Sequence, residues 1–101
     1  MKTTIFYFKD INENLGTRQL GKEVREKLIP IIDENDKTIF DFTNVNVVSN
    51  SFADECFAKL LLNYSLSQLK QKTTFVGLND FAKKNISIAF KRRARFLSCL
   101  S

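Results

Sequence analysis

Residues 38–57 read TIFDFTNVNVVSNSFADECF, and the fold turns on where the strand in this stretch stops and the helix begins. The strand formers Ile39, Phe40, Phe42 and Val45 predict a strand over 38–48. Their near-continuous apolar run predicts a central strand, covered on both faces. Asp41 interrupts the run; near the end of a buried strand an aspartate is expected to accept from backbone N–H groups of the next loop. From Ser51 to about Lys70, Phe52, Ala53, Cys56, Phe57, Leu60, Leu61 and Tyr64 recur with a 3.6-residue period, which predicts one amphipathic helix. Ser51 followed by Asp54 reads as its N-cap with an acid at the third helical position, close to a capping box.

Outward from this stretch, the remaining elements fall into place. TTIFYFKDI (3–11) predicts a strand and NENLG a turn. Thr17 is the expected N-cap of a helix whose apolar stripe is Leu20, Val24 and Leu28, and which Pro30 ends. DENDK (33–37) is an acidic turn, and KTTFVGL (72–78) a short strand. Asn79 or Asp80 is expected to cap a last helix over 80–100, with Phe81, Ala82, Ile86, Ala89 and Phe90 facing inward, although ISIAF (86–90) also alternates like a strand. The order β–α–β–α–β–α, with helical crossovers, predicts a small α/β sandwich: a mixed, partly parallel sheet with helices packed against it.

The 101 residues suit one domain, 1–101, with a core rich in phenylalanine: ten Phe and no Trp. No stretch nears the roughly 18 apolar residues of a membrane span, and MKTTIFYFKD does not resemble a signal peptide, so a cytoplasmic location is expected. Cys56 and Cys99 lack any CxxC spacing and read as two unpaired, semi-buried thiols. Histidine is absent, which removes the commonest general base and the usual partner of a nucleophilic Ser or Cys. With no paired-acid motif, phosphate loop or metal cluster, neither catalysis nor a cofactor is expected. Charge is uneven: residues 1–80 hold ten Lys/Arg against eleven Asp/Glu, whereas 81–101 hold six Lys/Arg and no acid.

The stretch FDFTNVNVVSNSFADECF resembles the STAS-like family of small bacterial domains, distant relatives of the anti-sigma-factor antagonists. The resemblance lies in a D-F strand leading into S-F-A-D-E, here Asp41, Phe42, Val45 and Ser51 to Glu55. It extends to a G-x-R…G…R pattern, here Gly16, Arg18, Gly21 and Arg25. It implies a STAS-like sandwich and a non-enzymatic module that engages a protein partner, such as a histidine-kinase-like ATPase, through the turn at 49–55. Laid on the antagonists, Ser51 matches their phosphorylatable serine, while Ser49 stands for an aspartate and Phe52 for a glycine. Those departures favour use of the same surface over phosphorylation itself.

The candidate partner-binding residues are therefore Ser49, Asn50, Ser51, Asp54, Glu55 and Arg18. Asp54 and Glu55 are expected to face outward, where they would repel a phosphate on Ser51. Arg18 and Arg25 read as helix-face charges, and Arg18, at a helix start, is a candidate partner of Asp41 or of an external carboxylate. The competing reading is a nucleic-acid-associated regulator using the basic helix at 83–95, with Lys91, Arg92, Arg93 and Arg95 on phosphates. A third use of this tail is docking on an acidic partner or on the chain's own loop 33–36.

Overall fold

The computed structural model describes the backbone of residues 1–100 and the side chains of residues 1–95. Cys99, expected as a semi-buried thiol, lies outside the described side chains. Strand β1 (Thr3–Tyr7) leads through a 3-10 turn (Phe8–Asp10) to β2 (Asn14–Leu15) and helix α1 (Arg18–Glu34). Next come β3 (Lys37–Asp41), β4 (Val47–Val48), α2 (Asn50–Cys56), a 3-10 segment (Ala58–Leu62), α3 (Leu66–Lys72), β5 (Thr73–Val76) and α4 (Asp80–Leu100). The main sheet has the order β1-β3-β5, and a second ladder pairs β2 with β4. All of these pairings are parallel, so the sheet is not the mixed one expected. Each crossover between main-sheet strands carries a helix, which lets neighbouring strands run the same way.

Several expectations hold. Thr17 caps α1, its hydroxyl accepting from Leu20 N, and Asn79 caps α4, its side chain accepting from Ala82 N at 2.8 Å. Asp41 accepts from Thr43 N at 2.8 Å, which turns the chain out of β3. Val24 and Leu28 are buried along the α1 stripe, with Leu20 packed beside them.

Others need correction. The first strand stops at Tyr7, where the 3-10 turn sends Phe8 into the core. The stretch 38–48 is two strands, separated by a turn in which Asn44 adopts a positive φ. α1 passes through Pro30 and ends only after Glu34. The extra turn buries Ile32 completely, a gain of roughly 1.5–3 kcal/mol that offsets the lost backbone bond at the proline. The single helix expected over 51–70 is broken: α2 ends at Cys56, and Ser65 opens α3 with a complete capping box to Gln68. Between them the Tyr64 hydroxyl donates to Asp33 at 2.6 Å, holding the break against α1. Phe81, expected to face inward, is 79% exposed, because α4 turns Ala82, Ile86 and Ala89 to the core instead.

The core is an aromatic cluster between sheet and helices. Phe8 stacks on Phe42 with ring centroids 4.2 Å apart, and Phe57 meets Phe40, Phe42, Phe52 and Phe75 at tilted or edge angles, the geometry ring quadrupoles favour. β3 is central as expected, but only its Phe40 side is covered; Ile5 and Tyr7, on the other side of the sheet, stay about half exposed.

Two glycines allow close approaches. A Cβ on Gly21 would lie 3.0 Å from Glu55 Cβ and 3.1 Å from Phe52 O, so α1 and α2 meet backbone to backbone there. Gly77 has φ +73°, and a Cβ on it would fall 2.7 Å from Thr43 N, so the turn after β5 closes on the turn after β3.

Gly21→Ala should lower stability by about 1–3 kcal/mol, because the added methyl meets helix backbone that cannot yield. Thr38, fully buried in β3, has a hydroxyl without a hydrogen-bond partner among the described residues. Thr38→Val should therefore raise stability by about 1 kcal/mol by removing an unsatisfied polar atom of similar shape. Urea unfolding of the two variants beside the parent checks both signs.

Candidate functional site

Ser49, not Ser51, caps α2. Its backbone is extended, its hydroxyl accepts from Phe52 N at 3.0 Å, and it donates to Gly16 O at 3.0 Å. Both hydrogen-bonding directions of Ser49 are thus used inside the fold. Ser51 sits within the first turn, half-buried, beside the exposed Asn50. The sequence offers two serines two residues apart, and either can begin the same apolar helix; the bond to Gly16 decides between them.

The neighbouring acids Asp54 and Glu55 reach different cations. Arg93 grips Asp54 with two hydrogen bonds, Nη2 to Oδ2 at 2.6 Å and Nε to Oδ1 at 3.2 Å. Arg18 adds Nη1 to Oδ2 at 2.9 Å. One carboxylate therefore joins α1, α2 and α4. Glu55 is buried; Arg25 Nη1 reaches its Oε2 at 2.6 Å and also donates to its backbone carbonyl, and Lys59 Nζ lies 2.7 Å from the same carboxylate oxygen. Burial by itself would raise the Asp54 carboxyl, but hydrogen bonds from Arg93 and Arg18 outweigh it and hold it below the usual range. Glu55 is lowered in the same way, its burial outweighed by Lys59 and Arg25.

These contacts change the reading of several candidates. Asp54 and Glu55 do not stand free for a partner; folding has claimed both. Arg18 pairs with Asp54, not Asp41, and Arg25 is a part-buried structural cation, not a solvated one. Arg93 folds back on Asp54, while Lys91, Arg92 and Arg95 face solvent. The tail does dock on the chain's own acid, but on Asp54 and not on loop 33–36. Readable signals existed for part of this network: Gly21 and Arg25 share a helix face at i, i+4, and Glu55–Lys59 has ion-pair spacing. Nothing local marks Arg93, which lies 39 residues from Asp54.

What remains accessible is a cleft of about 490 Å³ between the first turn of α2 and the outer part of α4. Asn50, Ser51 and Asp54 of α2, Ile88, Ala89, Arg92 and Arg93 of α4, and Arg18 at the start of α1 line it. Three guanidinium groups face one carboxylate, a surplus of two positive charges that favours an anionic or polar visitor. Cys56 is buried with its thiol pushed well up by desolvation, the state of an inert thiol. Among the described residues no group of His, Cys, Asp and Glu could hold a metal ion, and no helix is long and apolar enough to cross a membrane.

A family model described as a STAS-like domain of unknown function (DUF4325) matches residues 21–81, from the α1–α2 contact to the start of α4. No curated protein and no solved structure matches the chain.

Asp54→Asn should cost roughly 2 kcal/mol of stability at neutral pH, since it leaves two guanidinium groups without their charged acceptor. Because the folded carboxyl titrates below its ordinary 3.8, its contribution is whole above that pH and is lost as pH falls through the lowered value. The stability gap between parent and variant, followed by urea unfolding against pH, should stay constant above about pH 5 and close in stronger acid.

Proposed function

The chain belongs to the STAS-like family of unknown function, and from that premise we propose that it is a non-enzymatic regulatory module that binds a protein partner through the cleft beside α2. The observation that carries this reading is the gathering of Asn50 and Ser51 with Arg18, Arg92 and Arg93 in the lining of that cleft. An exposed amide, a half-buried hydroxyl and surplus positive charge suit an acidic or polar segment of another protein. The absence of histidine and the buried, unreactive Cys56 support a role without catalysis. The resemblance to anti-sigma-factor antagonists makes a histidine-kinase-like ATPase the first partner to try.

Ser51 is the candidate phosphorylation site within this reading. Asp54, which as a free carboxylate would repel a phosphate there, is already paired with Arg18 and Arg93. A phosphate on Ser51 would enter a cleft of net positive charge. Ser49 is a poorer acceptor, since its hydroxyl is engaged on both sides.

One observation favours a second reading. Lys83, Lys84, Lys91, Arg92 and Arg95 are all exposed on α4, which carries no acid after Asp80. Such a stripe suits a polyanion, and nucleic acid is the alternative partner.

The two readings separate in one binding experiment. For a partner bound in the cleft, Asn50→Glu, which sets a negative charge against an acidic segment, should weaken binding about tenfold or more, roughly 1.4 kcal/mol. The triple variant Lys84→Ala, Lys91→Ala, Arg95→Ala should bind that partner as the parent does. The opposite pattern, with affinity for duplex or single-stranded nucleic acid falling steeply with salt, would assign the function to α4. Calorimetry with the isolated partner measures the first, and fluorescence anisotropy with a labelled oligonucleotide the second.

A further inference from the structure

The two faces of the main sheet are unlike. One carries Phe6, Phe40 and Phe75 into the aromatic core beneath the helices. The other carries Ile5, Tyr7, Ile39 and Val76, with Lys37 and Asp41 on the same side of β3 by strand alternation. Ile5 is 45% exposed, Tyr7 51% and Val76 38%. All-parallel sheets are found almost only with both faces covered, because their strands are apolar on both sides. Among the described residues, nothing covers the other face of this one fully: Ile5, Tyr7 and Val76 stay exposed there.

The register states what would fit there. Ile5, Ile39 and Thr74 form the middle row; Tyr7, Asp41 and Val76 lie toward the strand C-termini, and Thr3 and Lys37 toward the N-termini. Lys37 and Asp41 stand four residues apart on one strand, about 13 Å, too far to pair with each other. Among the described residues their contacts are slight: Lys37 Nζ reaches Gln71 O at 3.4 Å, and Asp41 accepts from the local turn at Thr43. A twofold axis lying across the strands at the middle row reverses the strand direction of the facing copy. It sets Lys37 of each copy against Asp41 of the other, Ile39 on Ile39 and Ile5 on Ile5. Two sheets packed in this way keep their strands near alignment, within the usual 30° or so of face-to-face packing.

We infer that the open sheet face is a self-association surface, and that a second copy of this chain covers it through Ile5 and Ile39 of the middle row, flanked by two reciprocal Lys37–Asp41 pairs. The partner is a copy of the same chain because the face is complementary to itself: a centred apolar row with opposite charges at its two ends is what a twofold contact requires. The face is only three strands wide, below the standard ~800 Å² per partner, so the dimer is weak and concentration-dependent. The cleft lies among the helices on the covered side of the sheet, so each copy would keep its cleft open. A partner with two binding segments would then be held by avidity.

Sedimentation equilibrium of the full chain over a concentration series tests this. The expected mass rises from the 11.7 kDa monomer toward twice that value, with a dissociation constant of about 10–100 µM. Ile5→Lys and Lys37→Glu should each weaken association tenfold or more, with circular dichroism melts confirming that the variants fold. Adding Asp41→Asn to Lys37→Glu should restore much of the loss: it removes the repulsion and keeps an oxygen for Thr43 N. That rescue decides the matter even where Ile5→Lys disturbs folding. A chain that stays monomeric to about 1 mM, or a dimer indifferent to both Ile5→Lys and Lys37→Glu, would overturn the inference.

Discussion

Where α1 crosses α2, Gly21 presents no side chain, and that missing Cβ sets the distances on which the helical layer depends. Because the two backbones meet there, Arg25, one turn further along α1, comes within reach of both the side chain and the backbone carbonyl of Glu55. Arg18, one turn earlier, comes within reach of Asp54. Asp54 in turn receives Arg93 and so fixes the outer part of α4 over the first turn of α2. A side chain at position 21 would move α2 outward and lengthen all of these contacts together. The ion pairs are thus consequences of a packing distance, and the arginines hold a geometry that a glycine permits.

The same hierarchy explains what could be read from the sequence. Features that depend on a few consecutive residues were legible: the caps at Thr17 and Asn79, the turn at Asp41 and the α1 stripe. Features that depend on competition between neighbours were not. Ser49 and Ser51 are equivalent as local caps, and the choice falls to a bond with Gly16, 33 residues away. The periodicity over 51–70 is genuinely helical, yet Ser65 starts a helix of its own, and no periodic signal shows that the first one has already stopped. Pro30 normally marks an end; here the burial of Ile32 two residues later prevailed. The run TIFDF reads as covered on both sides, and within one copy of the chain it is covered on one.

For the site, the decisive unknown was charge pairing at long range. An Asp–Glu pair after a serine turn reads as an acidic surface, and a KRRAR tail reads as a basic one. Folding sets Arg93 against Asp54 and pairs Glu55 with Arg25 and Lys59, so both acids and one cation of the tail are used internally and what faces solvent is the remainder. That remainder differs in kind from either motif: a cleft with a hydroxyl, an amide and more guanidinium groups than carboxylates. Arg92 and Arg93 of the tail therefore belong to the same candidate surface as the serine turn.

If the cleft binds an anionic segment as proposed, this arrangement would also make it responsive to what enters. Asp54 is held by two arginines of different exposure, with Arg18 more than half open to solvent and Arg93 largely covered. An anionic group arriving beside Ser51 competes with Asp54 for them, and the exposed Arg18 can turn toward the newcomer at little cost, since an open ion pair contributes little. Arg93 is bound by two hydrogen bonds in a part-buried position and keeps α4 in place meanwhile. On the proposed reading, the carboxylate that looked like a recognition residue in the sequence would hold the place of a ligand's charge. It keeps the arginines of an empty cleft oriented without leaving them unpaired.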